Sequence, residues 1–86
     1  MRKNINKIKS SVPIEFNYNL PIIEFTGNRR ATIEGSTGVL HYSGDMIRIN
    51  TRKFAAAFSG RGLTLKCISP TCVIIEGFIT NVEFIS

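Results

Sequence analysis

The chain has 86 residues, two cysteines, one histidine and a formal net charge of +5, so one small domain is the ceiling and an obligate oligomer fits the size. Aliphatic and aromatic residues make up 43% of it, too many for a disordered chain and enough for a packed core. No apolar run reaches the roughly 18 residues of a membrane helix, and no apolar stretch follows the basic start as in a secretory signal, so a soluble, cytoplasmic protein is expected.

Arg2, Lys3, Lys7 and Lys9 lie in the opening segment with no acid among them, which leaves the rest of the chain near neutral. Residues 1–20 read as a flexible basic N-terminal arm. Its four cations are candidate contacts for peripheral binding to an anionic lipid surface or for nucleic acid, and Ile5 with Ile8 could add a short amphipathic turn. A single all-β domain is expected over residues 21–86.

Residues 22–25 form a candidate strand closed by Thr26-Gly27-Asn28, a turn in which glycine and asparagine take positive φ at little steric cost. Residues 30–34 alternate, with Ala31 and Ile33 on one face. Gly35-Ser36-Thr37-Gly38 predicts the next turn, residues 39–42 a short strand, and Ser43-Gly44-Asp45 another reversal. Residues 46–51 alternate cleanly, with Ile47 and Ile49 inward, as an antiparallel strand covering a core should. Phe54, Ala56 and Phe58 repeat the pattern.

Helix competes at residues 53–59, because alanines favour helix and Phe54 and Phe58 stand four apart. Gly60 and Gly62 leave too short a segment for a helix to hold, so a strand is expected there. Alanines on its second face are small enough for another sheet or subunit to approach. Residues 63–68 and 72–76 then flank Ser69-Pro70-Thr71, and residues 78–85 close the chain with Ile79, Val82 and Phe84 inward. Gly77 marks a bend or bulge. These segments predict about eight short, mostly antiparallel strands in a small β-roll, sandwich or partly open barrel.

Chemistry is sparse. Cys67 and Cys72 lack the further ligands a zinc site needs, since His41 is the only histidine. They read as small hydrophobes in neighbouring strands, and a disulfide between them would be unusual in a reducing compartment. His41 has no evident partner for acid–base work. Glu24, Glu34, Glu76 and Glu83 read as a solvated face, with Arg30, Arg48 and Lys66 as cross-strand partners. The glycine-bearing turns lack the lysine and following helix of a phosphate loop. No catalytic residue, cofactor or metal is therefore expected.

Arg29, Arg30, Arg52, Lys53 and Arg61 all lie at or near turns and form the candidate interaction surface if the fold gathers them at one end. Interleaved with exposed aromatics they would make a small RNA-binding barrel, which is the alternative function. Phe54 and Phe58, however, read as core.

Glu24-Phe25-Thr26-Gly27-Asn28-Arg29-Arg30-Ala31-Thr32-Ile33-Glu34-Gly35-Ser36-Thr37-Gly38-Val39-Leu40-His41-Tyr42, then Ile47-Arg48-Ile49-Asn50-Thr51, Gly62-Leu63-Thr64-Leu65-Lys66 and Ile75-Glu76-Gly77-Phe78-Ile79, resemble the YabP/YqfC family of sporulation proteins. The resemblance runs from about Pro21 to Phe84 and is nearer the YqfC type. It implies a non-enzymatic protein of the mother cell of an endospore-forming bacterium, and it brings no functional residues with it. Where the family tends to place a glycine after the Thr of the Ile-x-x-x-Thr strand, this chain has Lys53-Phe54 and three alanines. The expected role is assembly, through self-association or another sporulation protein at the forespore surface, with open strand edges as the physical means.

Overall fold

The computed structural model describes residues 20–86; the arm expected over residues 1–20, with Arg2, Lys3, Lys7 and Lys9, lies outside the described residues in all but Leu20. Six strands follow in order: β1 (Ile22–Thr26), β2 (Arg30–Glu34), β3 (Ser36–Tyr42), β4 (Met46–Thr51), β5 (Ala55–Ser69) and β6 (Cys72–Ile85). They form one antiparallel sheet in the order β1-β2-β6-β5-β4-β3. No helix occurs among the described residues, and residues 55–59, where helix competed, are strand.

The all-β, antiparallel class is as expected, but the count is six strands and not about eight. The difference arises at three glycines. β5 runs straight through Gly60-Arg61-Gly62 and β6 through Gly77, each bending without reversing, with register shifts at Ser59/Gly60 and Arg61/Thr64. Gly62 has φ 61° and Gly77 φ 141°, conformations that a side chain would oppose.

Both bends are held by the turns beside them. The backbone N–H groups of Gly60 and Leu63 donate to the carbonyls of Asp45 (2.9 Å) and Gly44 (3.0 Å), and those of Gly77 and Ile79 to Arg29 (3.1 Å) and Asn28 (2.8 Å). Backbone groups that a bend removes from the strand ladder thus find partners in the β3–β4 and β1–β2 turns, as buried polar groups must.

The bends fold the sheet onto itself. Phe25 on β1 and Phe58 on β5 have ring centroids 6.2 Å apart, although in a flat sheet three strand steps alone would separate them by about 14 Å. One layer comprises β3, β4, the first part of β5 and the last part of β6; the other comprises β1, β2, the first part of β6 and the last part of β5. Ile47, Ile49, Ala56 and Phe58 from the first layer meet Ala31, Ile33, Val73 and Ile75 from the second in a single core. The inward residues expected from alternation in β2 and β4 are fully buried there.

Two local expectations are corrected. Gly35 alone, at φ 98°, carries the β2–β3 junction, and β3 begins at Ser36, so Gly38 lies within a strand and not in a turn. Its neighbour Ser36 is buried where strand pairing sets it opposite Thr51. Phe84, expected inside, is 58% exposed at the sheet margin, where its ring meets Phe54 edge to face at 5.2 Å. Alternation points it inward, but among the described residues no strand lies beyond β6 in that layer to cover it.

Candidate interaction surface

The five turn cations divide between two ends of the fold. Arg29, Arg30 and Arg61 surround the β6 bend. Arg29 donates from Nε to the Gly77 carbonyl at 3.3 Å, and the Arg61 guanidinium lies 4.9 Å from the Phe78 ring centroid. Arg30 donates from Nε and Nη2 to Oε2 of Glu76 at 3.1 and 2.9 Å, while Lys66 reaches the other Glu76 oxygen at 3.2 Å. The lysine first, then the arginine, holds the Glu76 carboxyl below its ordinary value of 4.5. Glu76 and its two partners stand on β6, β5 and β2, in a row across the outer face of the second layer.

Arg52 and Lys53 sit at the opposite end, in the β4–β5 turn. There they line an open cleft with Leu20, Pro21, Gly35 and Thr71. The turn is tied by Thr51, whose buried hydroxyl donates to the Phe54 carbonyl at 2.7 Å and accepts from the Lys53 and Phe54 N–H groups at 3.2 and 3.0 Å. Gly35 and Ser36 both donate from backbone nitrogen to the Thr71 carbonyl, at 2.9 and 3.0 Å, which brings the β2–β3 and β5–β6 connections together at this end.

The remaining polar candidates are dispersed. Cys67 and Cys72 are free thiols on adjacent strands, Cys67 opposite Val73 and Cys72 opposite Ser69. His41 is exposed on β3, opposite Arg48. Among the described residues, no group of three or more His, Cys, Asp or Glu could hold a metal ion.

Strand edges stand out, and residue-by-residue reading could not find them because an edge is a property of sheet order. Among the described strands β3 is an edge, but two register shifts interrupt it, at Ser36/Gly38 and Val39/His41. β1 is only five residues long. The last part of β6 differs: Asn81 to Ile85 pair with β5 rung by rung, without a shift, and among the described residues no strand pairs with their other side. This edge carries Phe84 and Ile85, both exposed, and Glu83 as its single charge. Bulges, prolines and charges are what ordinarily blunt an edge, and this one has only Glu83.

Behind that edge the outer face of the first layer is low. Ala57 is only 3% exposed although it stands outside the core, between Arg48 and Glu83 in register. The buried Arg48 Nε has no hydrogen-bond partner among the described residues.

Comparison with known proteins finds a uniform picture. The YabP family matches residues 20–86. The uncharacterized protein YqfC of Bacillus subtilis (strain 168) is 27% identical over 74 residues, spanning 86% of this chain and 80% of that protein. No solved structure matches. With a match that takes in every strand of the folded sheet, the chain belongs to the YabP family.

Proposed function

We propose that this protein is a non-enzymatic assembly module of spore formation, acting in the mother cell and joining a second copy through the outer edge of β6. The observation that carries the reading is the uninterrupted run of Asn81 to Ile85, which no other described strand covers, with Phe84 and Ile85 exposed beside it. An open edge of this kind offers unpaired N–H and C=O groups to another strand. Family membership supports the link to sporulation. Antiparallel pairing of two copies about Val82 sets Glu83 opposite Asn81 of the second copy, which avoids placing like charges face to face. The product is an eight-stranded layer, four strands from each copy.

Light scattering at high micromolar concentration tests the assembly directly. The expected mass is about twice the 9.6 kDa of the chain, and the variant Asn81→Glu, which sets a like charge opposite Glu83 of the second copy at two places across the two-fold, returns it to a monomer with unchanged far-UV circular dichroism. A clean monomer for the unaltered chain sinks the proposal. In the source organism, a fluorescent fusion should appear in the mother cell at the forespore surface; diffuse signal in growing cells would speak against the sporulation role.

A further inference from the structure

The bends of the long β5–β6 hairpin bring two turn arginines to one corner of the fold. Arg29, in the β1–β2 turn, lies on one side of β6, where its carbonyl accepts the Gly77 N–H. Arg61, on β5, lies on the other side, opposite Phe78, and two strand spacings put the two backbones about 10 Å apart. Each guanidinium is held in place without being neutralised. That of Arg29 is anchored through Nε to the Gly77 carbonyl, and that of Arg61 rests 4.9 Å from the Phe78 ring centroid. Neither makes an ion pair among the described residues. Both residues are exposed, so their remaining N–H donors are open to a ligand.

The surroundings favour an anion. Thr26, Arg29 and Arg30 line one cleft with Glu76 and Gly77, and Glu76 is already balanced there by Arg30 and Lys66. The nearest other acids are Glu24, two residues along β1 from Thr26, and Asp45 in the β3–β4 turn. With both counted, the corner stays positive. Phe78, 37% exposed, is the large apolar side chain among these cations; Phe58 is buried in the core and Phe54 packs against it. We propose that this corner binds single-stranded nucleic acid, with Arg29 and Arg61 at phosphates and a base stacked on the Arg61–Phe78 pair. Guanidinium donors lie in the plane and leave its face free, so Arg61 bonds a phosphate at its edge and extends the stack at its face. Neutralised phosphates and stacked bases together are how proteins hold single strands without reading sequence. A lipid headgroup supplies negative charge but no flat partner for the stack, and a duplex keeps its bases inside.

The inference goes beyond the assembly reading and does not depend on it. The test is fluorescence anisotropy of the full chain with a short labelled single-stranded RNA of mixed sequence, titrated at several salt concentrations. Affinity is expected to fall with salt, by about 0.7 in the slope of log affinity against log salt for each phosphate neutralised on a single strand. Arg29→Gln/Arg61→Gln, with unchanged far-UV circular dichroism, should therefore flatten the slope by about 1.4. Arg52→Gln/Lys53→Gln, at the opposite end, should leave it unchanged. The cations of residues 1–19 are present in every variant and cancel in the comparison. Phe78→Leu should weaken binding by about 5-fold or more with the slope retained, the loss of one stacked base. Asn81→Glu should still bind, so that failure of the assembly and failure of nucleic-acid binding are told apart. No binding to single strands, an unchanged slope for the Arg29/Arg61 variant, or equal affinity for duplex RNA overturns the proposal, as does binding to phosphatidylglycerol vesicles that the RNA does not displace.

Discussion

Replacing Gly77 by alanine probes the bend on which the two-layer fold depends. Gly77 has φ 141°, and a Cβ there would stand 2.7 Å from the Gly62 carbonyl oxygen, 2.9 Å from the Leu63 Cα and 3.0 Å from the Gly62 carbonyl carbon. Ordinary contacts between carbon atoms lie at about 3.5–4.0 Å. All three neighbours are backbone, so no side chain can rotate out of the way. The backbone conformation costs about 1–3 kcal/mol for a residue with a Cβ, and the overlap adds about 1–3 kcal/mol as overpacking does elsewhere. A domain of this size has about 3–10 kcal/mol in total at the usual stability per residue. Urea denaturation followed by far-UV circular dichroism should therefore show the midpoint falling by about 2 M or more, at about 1 kcal/mol per molar urea, or no folded baseline at all. Gly38→Ala is the control. It lies in edge strand β3 with nothing within 4 Å of its Cβ and no positive φ, and it should shift stability by less than about 1 kcal/mol, in the stabilising direction. If Gly77→Ala unfolds at the same urea concentration as Gly38→Ala, the close crossing of β5 and β6 at this bend is wrong.

Two further perturbations read other parts of the fold. Glu76, held below its ordinary value of 4.5 by Lys66 and Arg30, contributes stability that is present above that value and lost as pH falls through its lowered folded-state value. Glu76→Gln should flatten the acid limb of a stability-against-pH curve, more so at low salt because the pairs are exposed; parallel curves for the two proteins would show that the row contributes nothing. Thr51→Val keeps the shape but strips the hydroxyl from the turn, leaving the Lys53 and Phe54 N–H groups short of a partner, and should cost about 1–3 kcal/mol in thermal denaturation. A variant as stable as the parent would mean that water replaces the hydroxyl without loss.

Local patterns in the sequence determined much of the secondary structure. Alternation placed Ala31 and Ile33 in β2 and Ile47 and Ile49 in β4 on the buried side, because side chains of a strand change face at every residue. Gly27 signalled its turn, and the glycines after Phe58 argued against helix over residues 53–59. Even the expectation of eight strands held a physical truth, since β5 and β6 each contribute a segment to both layers. Only the tertiary structure decided that Gly60, Gly62 and Gly77 bend the chain without reversing it. A glycine permits either outcome, and the choice is made by carbonyls of Asn28, Arg29, Gly44 and Asp45 that come from distant turns. The division of the basic residues, the exposure of Phe84 and the bare edge of β6 follow from that folding for the same reason: each depends on which strands become neighbours, and neighbours far apart in sequence leave no local signal.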